Sequence, residues 1–140
     1  MNNKLLFTGS LLGAMGVIAG AMGAHMLHGQ LSDYAMTTYN TAVLYQIFHA
    51  LLIVSIAKYY QQAPTRLLFL SGFVASAGVV LFSGSLYLIA TQNLFFHTEF
   101  KWLGPITPVG GLLLVCAWSL LAIHALKIKT NTIPKTNAGV

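Results

Sequence analysis

The chain has 140 residues, 56% of them hydrophobic and only 6% charged, with a formal net charge of +5. Soluble domains carry roughly 25% charged residues, so the composition excludes a soluble domain. The seven basic residues are few and form no stripe, which argues against nucleic acid as a partner and leaves the lipid bilayer.

A helix needs about 20 apolar residues to cross a bilayer, and four stretches qualify: 5–27, 42–60, 67–90 and 108–126. The expected fold is all-α, an integral membrane bundle of four transmembrane helices. It occupies residues 1–129 as one domain, followed by a flexible polar tail over 130–140.

In the first span Gly9, Gly13, Gly16, Gly20 and Gly23 recur at spacings of four, three, four and three, so they share one helical stripe. Lipid tails give little hydrophobic drive between helices, and contact must come from close fit, so this stripe reads as helix packing. Lys4 ahead of an apolar run, with Ala19, Ala21 and Ala24 behind it, also has the layout of a cleavable leader. The run is longer than a signal core and is expected to be retained as a helix.

Residues 31–41 contain neither proline nor glycine and offer Ser32 as a helix cap. They either lie at the interface or extend the second helix. The third span is rich in small residues, among them Gly72, Ala75, Gly78, Ser83 and Gly84, whereas the second and fourth carry more bulk. The expectation is that helices one and three form the centre. Before the fourth span, Thr107 suits an N-cap and Pro108 the first helical position. Gly110 and Gly111 then admit a close neighbour. Cys116, the only cysteine, forms no intrachain disulfide.

Basic residues set the expected orientation. With a cytoplasmic amino terminus, Lys4, Lys58, Arg66, Lys127, Lys129 and Lys135 fall inside and Lys101 alone outside, a positive-inside bias that puts both termini in the cytoplasm. None of the spans carries an Asp, Glu, Lys or Arg away from its ends. Ion-coupled transport usually needs such a group, so a coupled transporter is disfavoured. No nucleophile–base pair, metal-spaced His/Cys/carboxylate set or phosphate loop is visible, and no enzyme is expected.

Polar residues gather in what this orientation makes the outer half. Thr38, Thr41, Tyr45 and His49 follow helical three-and-four spacing, with Gln46 beside them. Ser83 and Tyr87 lie at i and i+4 in the third span, Thr107 opens the fourth, and His25 ends the first. Together His25, Tyr45, Gln46, His49, Ser83, Tyr87 and Thr107 are the candidate polar pocket. His25 and His49 differ in depth by about 10 Å on a straight helix, and His25 points away from the glycine stripe, so shared metal ligation needs a tilted or broken helix.

Four motifs carry a family resemblance: Gly20-Ala21-Met22-Gly23-Ala24-His25, Tyr45-Gln46-Ile47-Phe48-His49, Phe82-Ser83-Gly84-Ser85-Leu86-Tyr87, and Gly104-Pro105-Ile106-Thr107-Pro108-Val109-Gly110-Gly111 followed by Trp118. The chain resembles the small inner-membrane family known as domain of unknown function 423, which includes a mitochondrial relative of the transmembrane protein 256 type. The resemblance implies a four-helix protein of the bacterial inner (plasma) membrane and assigns no reaction. The function expected is that of a non-enzymatic scaffold or accessory subunit whose small-residue faces engage a membrane protein partner or a second copy. The alternative is a membrane protein that binds a small molecule, whether lipid, quinone, haem or metal, in the outer polar pocket. Which cofactor or metal, if any, stays open.

Overall fold

The computed structural model describes residues 3–131 and is built of α1 (Asn3–His25), α2 (Asp33–Gln62), α3 (Arg66–Phe95) and α4 (Ile106–Asn131), with a 3-10 turn at Lys101–Leu103 ahead of α4. Each of the four is long and apolar enough to cross a membrane, and no strand occurs among the described residues. Residues 132–140, most of the expected tail, lie outside the described residues.

Local chemistry explains the boundaries. After His25 the chain leaves α1 through Gly29, whose φ of +79° a side chain would strain. Ser32 then caps α2, its Oγ accepting Ala35 N–H at 3.3 Å. The polar stretch before the second span is therefore the first turns of a 30-residue helix. The hydroxyls of Thr37, Thr38 and Thr41 donate to the carbonyls of Asp33, Tyr34 and Thr37, each four residues back. This internal bonding takes Thr38 and Thr41 out of the polar seam expected with Tyr45 and His49. At the other end of α2, Thr65 caps α3 by accepting Leu68 N–H at 3.3 Å.

The start of α4 differs from expectation. The helix begins at Ile106, so Pro108 is its third residue and Thr107 is already helical. Proline is still accommodated, because the first N–H groups of a helix have no partner within it. The Thr107 hydroxyl is freed from capping and meets Ser85 Oγ at 2.7 Å instead. Leu103, 2% exposed, anchors the turn before it.

The lateral order also corrects the composition argument. α2 and α3 occupy the middle, α1 packs chiefly on α2, and α4 packs on α3. Bulky α2 can be central because both neighbours present small residues to it. The glycines of α1 cover one side, and Gly72, Ala75, Val79 and Ser83 are among the buried residues of α3. Ile53 and Ile56 fill the space between α2 and α3 together with Leu68 and Ala75. A helix with one glycine stripe serves one close neighbour, so α1 stays peripheral.

All five stripe glycines lie against α2, but they divide into two kinds. A Cβ on Gly9, Gly16 or Gly23 would come within 2.9, 2.8 and 2.9 Å of Val54 Cγ2, Ile47 Cγ1 and Tyr39 Cε1. Gly13 and Gly20 have more room, with Ala50 Cβ at 3.7 Å and Val43 Cγ1 at 3.4 Å. The tight positions are seven residues apart, and their partners Val54, Ile47 and Tyr39 on the antiparallel helix are seven and eight apart, close to a heptad register that favours a shallow left-handed crossing. At the α3–α4 contact a Cβ on Gly110 would run into the backbone of Phe82, and one on Gly78 would meet Leu114 Cδ2 at 2.6 Å. Ser71 Oγ adds a 2.8 Å bond to Ala117 O across the same contact.

Thermal unfolding in mild detergent, followed by circular dichroism, should rank these sites. Gly9→Ala and Gly110→Ala should each cost about 1–3 kcal/mol, since the opposing atoms include backbone that cannot swing aside. Gly13→Ala should be neutral or stabilise by up to about 1 kcal/mol, because alanine is the better helix former and the space exists. Equal losses at Gly9 and Gly13 would contradict the heptad distinction.

Candidate functional site

The expected pocket residues separate into groups. The first group is a hydrogen-bonded cluster where α1, α2 and α3 meet. Gln46, 5% exposed, donates from Nε2 to Leu12 O at 2.8 Å and accepts the Tyr87 hydroxyl on Oε1 at 2.8 Å. Tyr39 donates to Ala19 O at 2.9 Å and meets the Tyr87 ring edge-on, with centroids 5.0 Å apart. Thr91 Oγ1 donates to Tyr87 O at 2.8 Å.

Why two α2 side chains can reach backbone oxygens in the middle of α1 follows from the glycines. A helical carbonyl accepts the N–H of residue i+4 and keeps a second lone pair, normally shielded by neighbouring side chains. Four residues after Leu12 stands Gly16, and four after Ala19 stands Gly23. With no Cβ there, each carbonyl lies open toward α2. The stripe therefore allows close approach and also uncovers two acceptors, which Gln46 and Tyr39 occupy in the same heptad register.

Beside this cluster a groove of about 360 Å³ runs between α1 and α3, with Tyr39 and Gln46 of α2 as its floor. Met15, Ile18 and Met22 form one wall and Phe95 the other, Tyr87 and Thr91 of α3 join the polar floor, and Leu27 lies at the end opposite the chain's amino terminus. The groove exists because α1 and α3 touch little while both pack on α2. No charged side chain lines it.

The second group lies on α2, α3 and α4. His49 Nδ1 is 2.8 Å from Tyr45 O, and its Nε2 is 3.2 Å from Trp118 Nε1. A carbonyl only accepts and an indole N–H only donates, so the imidazole proton sits on Nδ1 and Nε2 accepts from Trp118. The Tyr45 ring stacks on His49 with centroids 5.9 Å apart and tilts against Phe82 at 4.7 Å. Both ring nitrogens of His49 are thus engaged, and a metal or haem iron would have to displace Trp118 to reach Nε2.

The remaining candidates stand apart. His25 is exposed at the last residue of α1 and joins neither group. Thr107 and Ser85 link α3 to α4, with Ser85 Oγ also 2.9 Å from Phe82 O. Ser83 is 1% exposed and its hydroxyl has no partner. Among the described residues, no three His, Cys, Asp or Glu side chains gather as a metal-binding set. His124, outside the candidate set, is buried and meets the Thr65 hydroxyl through Nδ1 at 3.2 Å.

Tyr39 and Trp118, which complete the two groups, were not among the candidate pocket residues. A signal for Tyr39 was present: positions 39 and 46 repeat the seven-residue interval of Gly16 and Gly23. Nothing in the sequence pairs Trp118 with His49, 69 residues away.

A family profile described as "Protein of unknown function (DUF423)" matches residues 19–111. A UPF0382 membrane protein of Staphylococcus haemolyticus is 38% identical over 122 residues, covering 87% of this chain and 94% of its own. The UPF0382 membrane protein YwdK of Bacillus subtilis is 32% identical over 123 residues, covering 87% and 95%. The UPF0382 inner membrane protein YgdD of Escherichia coli K12 is 32% identical over 129 residues, covering 92% and 94%. No solved structure matches the chain.

Two measurements check the clusters. Nitrogen-15 NMR of His49 should show the proton on Nδ1, and Trp118→Phe should shift the Nε2 resonance; a proton on Nε2 would contradict the assigned bond. Tyr39→Phe should lower stability by about 0.6 kcal/mol and at most about 1.7 kcal/mol, the range for side-chain hydrogen bonds between membrane helices.

Proposed function

This chain belongs to the DUF423 family, a multi-pass protein of the bacterial inner membrane, and we propose that it is a non-enzymatic binding protein that holds a membrane-soluble small molecule in the groove between α1 and α3. The observation that carries this reading is the groove's construction. Two apolar walls open toward the bilayer, where Met15 and Phe95 are exposed, and a floor of hydrogen-bonded polar side chains lies at their base. Ligand sites are commonly concave, mostly apolar and furnished with a few placed polar groups. Among the described residues the interior hydroxyls, amide and imidazoles bond to backbone carbonyls or to one another, apart from Ser83, and the one hydroxyl that meets an imidazole, Thr65 with His124, caps α3 away from the groove.

A second reading, a scaffold or accessory subunit, is favoured by a different surface from the one first expected. The glycine stripe is covered by α2 within the chain. One residue further on, Ser10, Ala14, Ala21 and Ala24 form an exposed row of small residues on α1, interrupted by exposed Val17. Such a row permits close packing by a partner helix or a second copy.

Both termini face the cytoplasm in this proposal. Lys4, Lys58, Arg66 and Lys127 gather at one end of the antiparallel bundle and Lys101 stands at the other, as the positive-inside rule requires. Fusions at the carboxyl terminus test this. A fluorescent protein should be bright and alkaline phosphatase inactive there; the reverse pattern overturns the orientation.

Native mass spectrometry of protein extracted gently from its own membrane separates the two roles. The binding reading expects an added mass of a few hundred daltons that is lost in Ala19→Leu, which fills the groove from its α1 wall while leaving the Ala19 carbonyl in place. An added mass unaffected by that substitution, or none, overturns it. A protein-sized increment that Ala14→Leu removes would support the scaffold.

A further inference from the structure

The groove's ligand class can be narrowed by counting donors and acceptors on its floor, an argument that rests on the binding reading above. Tyr39 gives its only hydroxyl proton to Ala19 O, and Tyr87 gives its own to Gln46 Oε1. Thr91 gives its proton to Tyr87 O. Gln46 differs, because its amide carries two hydrogens and only one is engaged, by Leu12 O. The second amide hydrogen is the one donor the floor has left, and Gln46 lines the groove.

An amide hydrogen without an acceptor is costly in an apolar setting, and a neutral acceptor relieves that cost. A charged acceptor is disfavoured, since no cationic side chain lines the groove and unpaired charge is expensive inside a membrane. Depth narrows the choice further. Gln46 is thirteen residues past Asp33, the first residue of α2, about 20 Å along the axis at the helical rise. α2 as a whole is 30 residues long, about 45 Å, and the hydrocarbon core is about 30 Å thick. The free N–H therefore lies well below the interface, where the ester carbonyls of ordinary bilayer lipids do not sit. Met15 and Met22, on the same α1 wall, supply pliable thioethers that accommodate a ring or a chain.

We propose that the groove binds an uncharged quinone-class molecule, its carbonyl accepting the free Gln46 Nε2–H and its hydrocarbon tail leaving between Met22 and Phe95 toward the bilayer. Binding alone is proposed, without electron transfer.

The test uses full-length protein stripped of bound lipid in mild detergent, with decyl-substituted benzoquinone and decylbenzene as probes. Wild type should bind the quinone on the order of tenfold more tightly than the hydrocarbon, the effect of about one buried hydrogen bond. The infrared spectrum of the bound quinone should show one carbonyl band lowered and one near its free position. Gln46→Glu, as a neutral acid in this apolar site, can still accept from Tyr87 and donate to Leu12 O but has no second hydrogen. It should bind both probes within about twofold of each other and retain the unfolding temperature of wild type. Equal binding of the probes by wild type, two unshifted carbonyl bands, or a preference that survives in Gln46→Glu would overturn the assignment. If decylbenzene still binds and Ala19→Leu blocks it, the groove stands and only the quinone class falls. If neither probe binds wild type, both fall.

Discussion

The contact between α1 and α2 governs much of what the rest of the molecule can be. Lipid offers no hydrogen bonds and little drive for helices to associate, so contact has to come from fit and from internal polar partners. Gly9, Gly16 and Gly23 supply the fit, since any side chain there would collide with α2. The same missing side chains leave the carbonyls of Leu12 and Ala19 open, and Gln46 and Tyr39 bond to them. Close approach and polar satisfaction are one event, repeated at a seven-residue interval.

Committing the small face of α1 to α2 has a consequence for the third helix. α3 turns its own small residues toward α2 and α4, and the side of α1 nearest to it carries Met15, Ile18 and Met22. These bulky side chains hold α1 and α3 apart, and the groove is the space that results. Tyr87 reaches across to Gln46 at its base, so the polar floor also ties α3 to α1 through α2.

On the opposite side of the bundle, α4 uses a related device. Gly110 and Gly78 bring α4 against the α3 backbone, and Ser71 and Ser85 add short hydroxyl bonds. His49 is held between Tyr45 O and the Trp118 indole, which crosses from α4 to α2. Trp118 is 52% exposed, so this lock on the imidazole stands at the lipid-facing surface. Among the described residues, Ser83 is the one buried hydroxyl without a partner.

Four long apolar helices, the Ser32 cap and a close-packing role for glycine were legible in the sequence, because each depends on residues near one another in the chain. Length and hydropathy decide whether a segment can span lipid, and spacing decides which residues share a helical face. Lateral order was not legible: composition pointed to α1 and α3 at the centre, whereas complementary fit made α2 and α3 central. The candidate pocket divided for the same reason. Gln46 and His49 are three residues apart, yet the neighbours that surround them send one toward α1 and Tyr87 and the other toward Trp118. The periodicity of one helix can say which side chains share a face. Only the packing of the other helices decides what that face meets, since partners 41 and 69 residues distant leave no local mark on the chain.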